Sequence, residues 1–157
     1  MSNIFEDNLK KAGHTLPEVA IPVAKYLPYV VRGNRVTISG QISKAEDGTL
    51  MVGKLGETCD IKTGVKAAER CGLYIISIIK EACGGDLSKV KKIIKLGGYV
   101  NAAPDFNDHP QVINGASELM VSVFGEDIGM HARAAVGMSS LPLGVMVEID
   151  AEVEIAG

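Results

Sequence analysis

From Met146 to Ile155 apolar and acidic residues alternate almost without a break. Val147, Ile149, Ala151, Val153 and Ile155 fall on one face of a predicted strand, and Glu148, Asp150, Glu152 and Glu154 fall on the other. A period of two also marks Arg35–Ser39, with Val36 and Ile38 on one side and Arg35, Thr37 and Ser39 on the other. Tyr29–Arg32 precedes it across Gly33-Asn34, a turn signal, so the pair reads as a β-hairpin closed by Gly40. Between Cys59 and Ala82 the period changes to that of a helix: Ile61, Val65, Ala68, Gly72, Ile75, Ile76 and Ile79 form one stripe. Thr58 is the expected N-cap, and Gly84-Gly85 stop the helix.

A strand is expected over Val90–Val100, with Gly97-Gly98 marking a bulge or a close backbone approach. Pro110 suits the first turn of a second long helix, whose buried face is Val112, Ala116, Leu119, Met120 and Val123 and whose end is Gly125. His131–Met138 is apolar enough to predict a buried strand, and Leu141-Pro142-Leu143-Gly144 a turn. Near the start, Asn3–Lys11 reads as a short amphipathic helix, and prolines 17, 22 and 28 forbid helix beyond it. Residues 1–27 are therefore expected to be an arm packed on a single domain spanning 1–157, and Ala45–Gly56 a mobile polar loop.

The order arm, β, β, α, β, α, β, β predicts an α+β fold with a mixed sheet and two helices on one face. No helix remains to cover the other sheet face, so a second subunit is the expected cover. With 157 residues and 46% hydrophobic residues the chain suffices for one core. It has no Trp, so that core must be aliphatic. A net charge of −3 argues against nucleic acid or an anionic membrane as partner. The absence of a signal pattern or spanning apolar run makes the cytoplasm the expected location. Cys59, Cys71 and Cys83 are spaced by twelve, which turns successive thiols roughly 120° apart on a helix. That suits inert buried thiols rather than a disulfide or a metal. The three histidines share no ligand spacing, and no phosphate-binding or nucleotide-binding motif is present, so neither metal nor cofactor is expected.

Arg133 stands among small apolar residues, His131-Ala132-Arg133-Ala134-Ala135-Val136-Gly137. A guanidinium there meets an anion or reaches the surface, since an unpaired buried charge is too costly. Two partners are open to it: one of the C-terminal glutamates, or the carboxylate of a small ligand. Glu148 is the first acid on the polar face of the last strand. If the strands of Arg133 and Glu148 pair through Leu141-Pro142, the two converge on a site that fixes a carboxylate and positions a water. Tyr29 and the Gly40 backbone N–H are further candidates for the cleft wall.

The run Arg133-Ala134-Ala135-Val136-Gly137-Met138-Ser139-Ser140-Leu141-Pro142, followed by Val147-Glu148-Ile149-Asp150-Ala151, resembles the C-terminal signature of the RidA (YjgF-type) family. Pro28-Tyr29-Val30 and Thr37-Ile38-Ser39-Gly40-Gln41-Ile42 are similar to its opening hairpin, and Val112-Ile113-Asn114 falls on its second helix. The resemblance implies a chorismate-mutase-like homotrimer with clefts between subunits. It also implies hydrolysis of small enamine or imine acids, of the 2-aminoacrylate/2-iminopropionate type, to a 2-keto acid and ammonia. Arg133 would grip the substrate carboxylate and Glu148 orient water, with Gly40, Asn114 and Tyr29, the last from a neighbouring subunit, lining the pocket. Ala135 stands where the family often has Cys, His131-Ala132 replaces its usual Pro-Ala, and the arm is long, which marks a distinct, longer branch. The alternative is a non-catalytic protein that binds a small carboxylate in the same cleft. A ribonuclease, an activity attached to some relatives, fits poorly with the acidic charge.

Overall fold

A computed structural model describes residues 3–157. The chain forms helix α1 (Ile4–Lys11), strands β1 (Tyr29–Arg32) and β2 (Arg35–Ile42), helix α2 (Ile61–Ala82), strand β3 (Val90–Asn101), helix α3 (His109–Gly129), strand β4 (Ala132–Met138) and strand β5 (Val147–Ile155). The five strands make one mixed sheet in the order β1-β2-β5-β3-β4, antiparallel except for β3 and β4. This is the α+β architecture expected, with three helices.

Period-two patterning sets the faces of the sheet. Val147, Ile149, Ala151, Val153 and Ile155 of β5 are buried, as are Val36 and Ile38 of β2 and Leu96 and Val100 of β3. All turn toward α2 and α3, whose residues Ile75, Ile76, Ile79, Ile113, Ala116 and Met120 complete the core. The helices approach closely at glycines. A Cβ on Gly72 would lie 2.9 Å from Leu119 Cδ2, and one on Gly98 would lie 2.6–2.8 Å from three side-chain atoms of Ile113. The Gly97-Gly98 pair is thus a close approach, while the irregularities of β3 come earlier, between Val90 and Lys95. The opposite sheet face carries Thr37, Lys95, Tyr99, Asp150 and Glu152 around a shallow groove that no helix covers.

Several local expectations are corrected. The N-cap of α2 is Asp60, whose carboxylate accepts from Thr63 N at 2.8 Å, while the Thr58 hydroxyl is taken by Lys54 N. Strand β2 continues past Gly40 to Ile42 through a bulge between Ile38 and Gln41. The 45–56 loop is stitched down by bridges Lys44↔Leu50, Val52↔Val145 and Leu55↔Ala102, with Leu55 fully buried. Strand β4 is not buried: it is the sheet's edge, and most of its residues are exposed. Gly125, the expected end of the second long helix, interrupts it with φ at +79°, and the helix resumes as far as Gly129.

The arm is fastened by polar contacts as well as packing. Phe5 meets Phe124 edge-on at 5.1 Å, Asn8 Nδ2 donates to Val123 O, Lys80 pairs with Glu6 at 2.6 Å, and Ser77 Oγ donates to Pro17 O. Cys71 and Cys83 are buried and Cys59 half-buried, all unpaired, and burial pushes each thiol's pKa up, so none is poised as a thiolate. Among the described residues no helix is long and apolar enough to cross a membrane.

Candidate active site

Strand β3 lies between β4 and β5, so the strands bearing Arg133 and Glu148 do not pair. Arg133 is level with Leu96 on β3, whose side chain faces the helices, whereas Glu148 is level with Tyr99, which faces the open side. The two charged groups therefore stand on opposite faces of one sheet. The short Leu141-Pro142 connection does not bring them together, because it carries the chain past β3. Each instead anchors its own cluster.

The first cluster joins the β4 edge to α3. Arg133 Nη1 donates to Asn114 Oδ1 at 2.8 Å and to Ser117 Oγ at 3.2 Å. Asn114 and Ser117 are three apart on α3 and so project from one helix face. The C-terminal glutamates do not neutralise Arg133: they lie on the other face, and Glu152 pairs with Arg35 at 3.8 Å. Arg133 is exposed, and both of these bonds use Nη1, leaving the rest of the fork available to an anion. Beside it Ser117 Oγ lies 2.9 Å from His131 Nε2, and His131 Nδ1 lies 2.6 Å from Gly129 O. Burial lowers the His131 pKa, and the charges of Arg133 and Lys92 lower it further, against an opposing contribution from the Gly129 carbonyl. Arg133, Ser117 and His131, with Glu118, Val121 and Met130, line a cleft of about 480 Å³.

The second cluster lies between the arm and β5. Glu148 folds over the bulge of β2, where a Cβ on Gly40 would overlap its Oε1. Glycine at position 40 thus makes the room in which the carboxylate sits. Burial, and then the charge of Asp150, raises the Glu148 pKa above the usual carboxylate range. Pro22, Tyr26, Tyr74 and Leu143 help enclose a cleft of about 400 Å³ beside Glu148 and Gly40. Tyr29 is not among its lining residues. Its register partner is Ile38, on the helix side, and its hydroxyl bonds to Glu81. Tyr26, three residues earlier, supplies the aromatic wall. No sequence pattern separated these two tyrosines until the strand register was fixed.

Among the described residues no group of three His, Cys, Asp or Glu side chains could hold a metal ion. The chemistry at hand is a guanidinium ready for an anion and a carboxylate ready to exchange a proton.

The family described as "YjgF/chorismate mutase-like, putative endoribonuclease" matches residues 6–153. The chain belongs to the YjgF (RidA) family. Within it, the chain is 44% identical over 148 residues to Protein TCP17 of Trypanosoma cruzi, covering 94% of this chain and 92% of that one. The crystal structure of Atu1372, a protein of unknown function from Agrobacterium tumefaciens, superimposes with a TM-score of 0.90 at 44% identity, covering 97% of this chain and 92% of that one. RidA from a Psychrobacter species matches at 26% identity with a TM-score of 0.55, over 90% of this chain and 99% of that one. The YjgF backbone seen here is thus much closer to Atu1372 than to that RidA.

Proposed function

We propose that this YjgF-family protein hydrolyses small enamine or imine carboxylic acids to 2-keto acids and ammonia in clefts between the subunits of a homotrimer. The observation that carries the reading is Arg133, a guanidinium held by the neutral groups of Asn114 and Ser117 rather than by a carboxylate. Such an arginine is oriented but not neutralised, which suits it to a substrate carboxylate. Because Glu148 stands on the other sheet face, one copy contributes Arg133 and Asn114 to a cleft, and the next copy contributes Glu148, Gly40 and Tyr26. Assembly also covers the sheet face that the helices leave bare.

In this cleft the substrate carboxylate lies on the guanidinium, with its imine carbon toward Glu148. Glu148 takes a proton from water as the oxygen bonds to that carbon, forming a carbinolamine. The same carboxyl returns that proton to the amino nitrogen of the adduct and then accepts the carbinol O–H proton as the C–N bond breaks, so that ammonia leaves and the carbon becomes a ketone. A carboxylate whose pKa is raised takes the proton from water more readily than an ordinary glutamate does. No metal or cofactor enters these steps. RNA is a poor substrate for clefts flanked by Glu148, Asp150 and Glu152.

The test is release of keto acid from an iminoacid generated in situ by an amino-acid oxidase. Removing two charge-assisted hydrogen bonds of about 1.5 kcal/mol each predicts a loss of roughly 100-fold in kcat/KM for Arg133→Ala. A wild-type rate no faster than the uncatalysed background overturns the enzyme reading. Calorimetric binding of 2-oxobutyrate without turnover would leave a carboxylate-binding protein that uses the same arginine.

A further inference from the structure

We propose that Ser117 and His131 form a nucleophile–base pair that accepts an acyl group from small carboxylic esters, an activity separate from imine hydrolysis. Serines inside helices ordinarily bond a carbonyl of their own helix, as Ser122 does to Leu119 O at 3.0 Å. Ser117 is different. Its hydroxyl faces His131 Nε2 at 2.9 Å.

The tautomer follows from the other ring nitrogen. Gly129 O can only accept, so His131 Nδ1, 2.6 Å away, carries the proton in the neutral ring. Nε2 is then a bare lone pair aimed at the Ser117 O–H. A backbone carbonyl thus orients the base, the part a carboxylate plays in the serine triads of hydrolases. Arg133 supplies the remaining element. Its Nη1 lies 3.2 Å from Ser117 Oγ, where positive charge eases loss of the serine proton. Its other N–H groups take no part in these two bonds and are donors for an oxyanion formed at a carbonyl beside Ser117. The walls of the adjoining cleft, Val121 and the exposed side chain of Met130, suit an apolar acyl chain.

The step balances without any further reagent. Ser117 Oγ bonds to the ester carbonyl carbon while its proton passes to His131 Nε2. The tetrahedral adduct collapses, the ester C–O bond breaks, and His131 returns the proton to the departing alcohol. Water, deprotonated by the same nitrogen, then releases the carboxylic acid and restores Ser117.

The experiment is covalent labelling of the intact protein with phenylmethanesulfonyl fluoride, read by mass spectrometry. One sulfonyl group per chain, mapped to Ser117, is the expected result. Ser117→Ala should abolish it, His131→Asn should slow it by about 10²–10⁴-fold, and Ser122→Ala should label like the wild type. Hydrolysis of p-nitrophenyl butyrate should follow the same order. Absence of an adduct, an adduct elsewhere, or unchanged labelling of His131→Asn overturns the proposal. Unchanged thermal melting of Ser117→Ala, which removes only a hydroxyl oxygen, separates lost chemistry from lost folding. Failure of imine turnover would leave this prediction standing, because the adduct is read without an imine.

Discussion

Two glycine-to-alanine substitutions, on different sheet faces, should have opposite consequences. At Gly98 the new methyl carbon would lie 2.6 Å from Ile113 Cγ1, 2.7 Å from Cδ1 and 2.8 Å from Cγ2. Ile113 is fully buried between α3 and the sheet, so relief requires α3 to move away from β3. Overpacking of this kind costs about 1–3 kcal/mol. For a chain of 157 residues, that corresponds to a fall in Tm of roughly 2–12 °C, at about 2–4 °C per kcal/mol. Ile113→Val removes Cδ1, one of the three obstructing atoms. The double variant should therefore lose less stability than the sum of the singles, by about 1 kcal/mol. At Gly40 the methyl would meet only the end of the Glu148 side chain, Oε1 first and then Cδ at 3.0 Å. A flexible side chain can swing aside, so Gly40→Ala should shift Tm by less than about 2 °C. It displaces the proposed proton carrier, so imine turnover should fall at least about tenfold. Thermal melts beside a turnover assay read both effects. Equal Tm losses for the two variants, or strict additivity of Gly98→Ala with Ile113→Val, would refute the packing argument.

Asp60→Ala removes the N-cap of α2 and should cost about 1 kcal/mol in chemical denaturation, whereas Thr58→Ala at the neighbouring turn should not reproduce a capping loss. Because His131 has a lowered pKa in the fold, the unfolded chain takes up its proton first as pH falls. Its contribution to stability is complete above the unfolded value of about 6.5 and is lost as pH drops through the folded value. The stability gap between the wild type and His131→Gln should therefore narrow on going from about pH 7.5 to pH 5.5, and a gap that widens would contradict this. Arg133→Lys should recover only part of the activity lost in Arg133→Ala, because an ammonium offers no planar fork to a carboxylate.

Much of the architecture was legible in local patterns, because those patterns are local physics. The alternation of β5 and the stripes of α2 and α3 report which face is dry, and the burial of Val147–Ile155 follows them. Strand order is different, since it depends on contacts distant in sequence. The Leu141-Pro142 turn looked short enough to pair β4 with β5, yet a parallel crossover through α3 places β4 beside β3 and leaves it at the edge. Small residues such as Ala132, Ala134 and Ala135 signal neither burial nor exposure, so the edge could not be recognised from composition. Arg133 and Glu148 were identifiable as charged groups in telling surroundings, but their faces became known only with the register. Within one chain Tyr26, not Tyr29, lines the cleft beside Glu148, and no periodicity marks Tyr26 for that place. Ser117 and His131 are fourteen residues apart on different elements, with no periodicity to link them. The cap of α2 is Asp60, two residues beyond the expected Thr58, and only its bond to Thr63 N identifies it.

The placement of Arg133 and Glu148 on opposite sides of one sheet has a genetic corollary. Arg133→Ala and Glu148→Gln proteins should each lose most of their turnover alone, yet mixing them by denaturation and refolding should restore it in part. In a ring whose clefts each draw Arg133 from one copy and Glu148 from the next, random mixing leaves both native residues in about a quarter of the clefts. Two defective alleles expressed together would then complement one another, which a site contained within one copy could never do.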